Sequence, residues 1–117
     1  MKLCILGDGL VSLSLAKALV NEGIFVDVVR NRKNSKSNKT RTIGISKSNI
    51  DFINKNILNI KKLLWNINRI EVFSENLENK KILNFENDNH EIFSIVKNDL
   101  FYNQLISSLK KIKILNF

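Results

Sequence analysis

Residues 3–30 read LCILGDGLVSLSLAKALVNEGIFVDVVR, and this stretch leaves few folds open. LCIL is a short unbroken apolar run ending in glycine, the pattern of a strand buried on both faces. From Leu10 to Glu22, the residues Leu10, Val11, Leu13, Leu15, Ala16, Ala18, Leu19 and Val20 cover more than half of a helix surface. That spacing predicts a helix packed against a sheet. Gly23 is placed to end the helix as a C-cap, and IFVDVV at 24–29 predicts a second strand. The link between the strands is so short that they must be parallel neighbours joined by a right-handed crossover.

The turn after the first strand is where this segment points to chemistry. Gly7 permits a sharp strand-to-helix turn, and Gly9 lets a pyrophosphate approach the backbone with no Cβ in the way. The N–H groups at the helix start, through Leu10, Val11 and Ser12, would face the phosphates with the helix dipole behind them. Ser12 stands where the dinucleotide fingerprint has a third glycine, a small loss of closeness between helix and strand. Asp8, between the glycines, is expected to point away from the phosphates. Arg30 stands where an acid would hold the ribose hydroxyls; an arginine there could meet a 2′-phosphate instead, and Asn31 could offer the ribose a weaker hydrogen bond. A β-α-β unit with a glycine turn and no ligand is the plain alternative.

Composition limits the rest. With 117 residues, 44% hydrophobic and 26% charged, the chain is globular and long enough for one small domain. No apolar run reaches the roughly 20 residues of a membrane span, and the N-terminus does not read as a signal peptide. Cys4 is alone and predicted to be a small buried hydrophobe; His90 is alone in a polar run and reads as solvated. The formal charge of +8 is concentrated in one loop at 30–41, RNRKNSKSNKTR, which holds six bases and no acid against 13 bases and 11 acids elsewhere. That pattern describes a solvated loop better than a nucleic-acid surface, which spreads charge along a folded face. The lone cysteine suits a reducing cytoplasm.

Beyond the basic loop, TIGIS at 42–46 predicts a strand, and Ser46 or Ser48 can cap a helix running to about Lys55. ILNIKKLLWN at 57–66 is apolar at helical spacing, with Trp65 expected in the core. RIEVFSE, KKILNFE and EIFSIVK predict three strands of a small antiparallel sheet. Asn98 and Asp99 start a helix, DLFYNQLISSLKK, with Leu100, Phe101, Leu105, Ile106 and Leu109 on its apolar face; IKILNF is the final strand. The expected fold class is α/β, with three parallel strands, their helices and a small antiparallel sheet.

Gly7-Asp8-Gly9-Leu10-Val11-Ser12, the following Ala16, Leu19 and Gly23, and then Arg41-Thr42-Ile43-Gly44-Ile45-Ser46 resemble the N-terminal part of FAD-dependent aromatic-ring hydroxylases. Within that family the pattern looks most like the ubiquinone-biosynthesis hydroxylases (2-octaprenyl-6-methoxyphenol hydroxylase-like). The resemblance implies a partial Rossmann-like FAD-binding domain over 1–117, with Gly7, Gly9, Leu10, Val11, Ser12, Arg30 and Arg41 at the cofactor and no catalytic residue of its own. In that family an arginine in the place of Arg41 contacts the flavin cofactor, and NAD(P)H is the reductant. The likeness covers about the first third of a family member. Two later flavin motifs and the substrate region have no counterpart, so the chain is expected to be inactive alone, a remnant or half of a split enzyme completed by a second polypeptide. Its first strand would be left as an unpaired apolar edge. Cytoplasmic placement, with peripheral association at an inner membrane, is the expectation that follows. Two other readings stay open: a small NAD(P)-binding β-α-β subunit or regulator, and a non-enzymatic protein whose basic loop meets an acidic partner or membrane headgroups.

Overall fold

The computed structural model describes residues 1–30, 41–77, 80–86, 92–110 and 112–116. The chain begins β1 (Lys2–Leu6), α1 (Leu10–Asn21), β2 (Phe25–Arg30). It continues through β3 (Thr42–Ser46), α2 (Lys47–Asn56), β4 (Trp65–Ile67), β5 (Arg69–Phe73) and β6 (Lys81–Glu86). It then forms β7 (Phe93–Lys97), α3 (Asn98–Ser108) and β8 (Lys113–Asn116). The strands form a parallel sheet in the order β1-β2-β8, an antiparallel sheet in the order β3-β7-β4, and a separate β5–β6 hairpin. The expected α/β class, with three parallel strands, their helices and antiparallel pairing beside them, is the observed one.

The first crossover forms as its sequence dictates. β1 and β2 are parallel neighbours, with Leu3 opposite Val26 and Ile5 opposite Val28. Gly23 takes φ +78°, and two bonds close the helix end: Gly23 N–H to the Val20 carbonyl and Ile24 N–H to the Leu19 carbonyl, each 3.0 Å. This is a Schellman ending, which needs a residue that tolerates a left-handed backbone. Ser46 caps α2, its hydroxyl accepting from the Asn49 N–H at 3.4 Å.

The core gathers Leu13 and Ala16 of α1, Val26 and Val28 of β2, Ile57 and Ile60, Val96 of β7, and Phe101, Leu105 and Leu109 around α3. α1 and α3 pack on each other, and α3 also meets β7, so one helix ties the parallel sheet to the antiparallel one. The side chain of Asn21 adds a polar tie, donating to the carbonyls of Asn56 at 3.0 Å and Ile57 at 2.9 Å. Ser94, buried in β7, donates its hydroxyl to Asn66 Oδ1 at 2.8 Å, so the polar group inside is satisfied.

Several expectations need correction. β1 is not buried on both faces: it lies at an edge of its sheet, exposes Lys2, Cys4 and Leu6 and turns Leu3 and Ile5 inward. Leu6 is 79% exposed, and Cys4 is an exposed thiol rather than a core residue. Residues 57–66 do not form a helix. Ile57 and Ile60 are buried, but only a 3-10 turn at Lys61–Leu63 follows before β4. The backbone from Trp65 to Ile67 pairs with β7 instead, which overrides helical periodicity and leaves Trp65 74% exposed. The three expected antiparallel strands divide: β5 pairs with β6, whereas β7 joins β3 and β4. α3 stops at Ser108 and Leu100 is exposed. The basic loop beyond Arg30 and His90 lie outside the described residues.

The β5–β6 hairpin is held by its own ion pairs. Glu71 Oε1 receives Arg69 Nε at 2.8 Å and Lys81 Nζ at 3.0 Å, and the bond from Lys81 holds the Glu71 carboxyl below its usual range. Phe73, Ile82, Leu83 and Phe85 stay exposed on it. The molecule extends 57 × 32 × 21 Å with a radius of gyration of 17.9 Å. A compact chain of this length measures about 13 Å. Among the described residues no helix is long and apolar enough to cross a membrane.

The positions of Leu105 and Trp65 set a contrast that urea unfolding can read. Leu105→Ala, at a fully buried site, lowers stability by about 2–5 kcal/mol. Trp65→Ala changes it by about 0.5 kcal/mol or less. Comparable losses would contradict the described core.

Candidate functional site

β1 runs straight into the glycine turn. Gly7 adopts φ +109°, a conformation that L side chains rarely take. Its N–H donates to the Val29 carbonyl at 2.7 Å, which pins the turn to the end of β2. Gly9 is the N-cap of α1, with φ −73° and ψ 173°, an ordinary extended backbone. Its carbonyl accepts the first helical bond, from Leu13 N–H at 2.9 Å.

The two glycines therefore serve different ends. Gly7 is demanded by the backbone, whereas a Cβ on Gly9 would meet no protein atom within 4 Å. The space that a Cβ on Gly9 would enter is open. No side chain caps α1 and no acid lies in its first turn. By helix geometry the N–H groups of Leu10, Val11 and Ser12 have no carbonyl partner inside the helix, and the positive end of its dipole lies there. Leu10 packs against the core, while Val11 is 84% exposed. Ser12 Oγ lies beside this turn: a Cβ on Gly7 would meet it at 3.5 Å, an ordinary contact, so it is the backbone angle of Gly7 and not crowding that calls for glycine.

Arg30 closes β2, next to the residue that receives the Gly7 bond. Arg41 is exposed just before β3, and its carbonyl accepts the Asn98 N–H at 2.9 Å. That bond ties it to the first turn of α3. One turn further along α3, Tyr102 donates its hydroxyl to Asp8 Oδ2 at 3.2 Å, across 94 residues of sequence. The first two turns of α3 thus touch both the approach to β3 and the glycine turn. Burial, then the Asp8 charge and hydrogen bond, push the Tyr102 phenol above its usual range, and the charge of Arg30 pulls the other way. The phenol is therefore a proton donor at neutral pH.

Gly7, Gly9, Leu10, Val11, Ser12 and Arg30 fall within one neighbourhood at the end of the parallel strands, and Arg41 connects to it through α3. Sequence reasoning missed Tyr102. Nothing local marks it, since its partner is at the other end of the chain. Apart from this turn, an apolar cavity of about 370 Å³ opens between Val20, Gly23, Ile24, Phe25, Val26 and Ile112. It sits at the opposite end of β2 from Arg30. The turn can hold an anion by backbone N–H groups. Among the described residues no group of His, Cys, Asp and Glu could hold a metal ion.

No protein-family model and no curated protein matches the sequence. Solved structures do match the fold. Klebsiella pneumoniae HpxO, in complex with FAD and uric acid, superposes with a TM-score of 0.73 at 17% identity, covering 99% of this chain and 30% of that one. p-Nitrophenol 4-monooxygenase PnpA from Pseudomonas putida DLL-E4 gives a TM-score of 0.78 at 14% identity, over 97% of this chain and 31% of that one. 2,6-Dihydroxypyridine-3-hydroxylase from Arthrobacter nicotinovorans gives 0.70 at 13% identity, over 97% and 28%. At these identities the likeness is one of fold, and this chain spans about three-tenths of the length of those proteins.

The different demands on the two glycines separate folding from binding. Gly7→Ala strains the turn and lowers stability by about 1 kcal/mol or more. Gly9→Ala leaves the urea midpoint unchanged but abolishes binding of a pyrophosphate ligand, because its Cβ projects into the open space. Calorimetry of both variants with ADP would show the split, and an unimpaired Gly9→Ala would place the ligand elsewhere.

Proposed function

We propose that the chain is the FAD-binding portion of an aromatic-ring monooxygenase, of the ubiquinone-biosynthesis type that its motifs resemble, with NAD(P)H as the reductant. One observation carries the reading. The start of α1 carries no side-chain cap, and the space that a Cβ on Gly9 would enter is open, in a fold shared with a protein solved with FAD bound. Gly7 and Gly9 shape the cradle, and Leu10, Val11 and Ser12 present N–H groups to the pyrophosphate. Arg30 lies at the end of β2, where the ribose of an adenosine is read, and Arg41 lies just before β3, its backbone tied to the start of α3. Bound FAD would supply the redox chemistry; the chain's own residues bind and orient it. The substrate pocket and the other flavin contacts come from polypeptide outside these 117 residues, which a second chain could provide. The unpaired edge of β1 is a surface on which such a polypeptide could add a strand.

Arg30 also supports a second reading, an NADP(H)-binding subunit in which its guanidinium pairs with a 2′-phosphate. Titration of the purified protein with FAD, NADPH and NAD distinguishes the two. The first reading expects flavin absorbance to be retained and FAD affinity to fall about ten-fold or more in Arg41→Ala. The second expects NADPH to be preferred and that preference to disappear in Arg30→Glu. Binding only to anionic surfaces, weakening steeply with salt, would remove both.

A further inference from the structure

We propose that Tyr102 is a positioning residue that holds the Asp8 carboxylate off the phosphate-facing start of α1, and so sets the anion affinity of the turn from α3. The inference rests on the dinucleotide-binding reading and goes beyond it, because Asp8 fills the position the glycine pattern leaves open and Tyr102 lies outside the pattern.

Asp8 lies one residue before the N-cap of a helix that no side chain caps. It is the acid nearest in sequence to the open N–H groups of Leu10, Val11 and Ser12. Carboxylates favour such positions, since they accept from unpaired N–H groups and lie at the positive end of the dipole. A carboxylate settled there would act as a built-in anion, occupying the donors a pyrophosphate needs and repelling its charge. In the structure Asp8 Oδ2 is instead taken by the Tyr102 hydroxyl at 3.2 Å.

Tyr102 is a firm anchor. Its ring is half-buried and packs against the core, beside the buried Phe101 and Leu105 of the same helix. A phenol is protonated at neutral pH in any case, and burial with the Asp8 charge raises its pKa further above that range. The tether therefore persists where a dinucleotide would bind.

A double-mutant cycle tests this, with FAD and ADP titrated into wild type, Tyr102→Phe, Asp8→Asn and the double variant. Tyr102→Phe keeps the ring and loses the hydroxyl; affinity is expected to fall about two- to ten-fold. The fall should shrink at high salt, where the freed carboxylate is screened. Asp8→Asn has no charge to restrain and should bind at least as tightly as wild type. In that background Tyr102→Phe should have no further effect. An equal loss from Tyr102→Phe in both backgrounds would mean simple packing and overturn the proposal. So would unchanged binding by Tyr102→Phe, or weaker binding by Asp8→Asn, which can be read even if Tyr102→Phe fails to fold. Wild type that binds neither ligand would defeat the dinucleotide reading itself. Urea midpoints of all four proteins separate lost binding from lost folding.

Discussion

The burial of Phe101, Leu105 and Leu109 against Leu13 and Ala16 joins two sheets that share no strand. Each such side chain contributes about 1.5–3 kcal/mol when removed from water. The core around them is small, so a few residues of α3 carry a large share of the cohesion. The same helix is a lever on the glycine turn, since its N-terminal residues bond to Arg41 and Asp8. Packing and the candidate site are therefore one problem in this chain: what seats α3 also sets the geometry at the start of α1.

How much of this could be read from the sequence depended on distance along the chain. The β1-α1-β2 unit was legible because its signals are local: an apolar run, helical periodicity, and glycines where the backbone turns. Gly23 and Ser46 announced their caps for the same reason. Residues 57–66 misled because helical spacing does not reveal that the backbone near Trp65 will pair with β7, about 30 residues away. Cys4 misled because apolar runs look alike in central and edge strands, and only neighbouring strands distinguish them. At the candidate site, Gly7, Gly9 and Arg30 were visible as residue types at spacings. The Asp8–Tyr102 pair was not, since no pattern links positions so far apart.

Ser12 illustrates how a departure from a motif can be structurally consistent. The third glycine of the fingerprint serves close packing between helix and strand. Here the hydroxyl of Ser12 sits beside Gly7 at ordinary contact distance, even from a Cβ built at that position. A motif scored position by position counts Ser12 as a loss. The turn accommodates the hydroxyl without crowding.

The pairing of β2 with β8 bears on how the chain reaches its fold. β1 meets β2 across one helix, a closure that local contacts make fast. Val28 must find Ile114 only after nearly all the intervening chain has been arranged. Contacts of such separation come late, because the entropy of closing the loop precedes any gain from the contact. Until then β2 presents a free parallel edge carrying Val28 and Val29, and β1 presents another. The yield on refolding should therefore fall as protein concentration rises, with dilute conditions giving β8 time to arrive before another chain does.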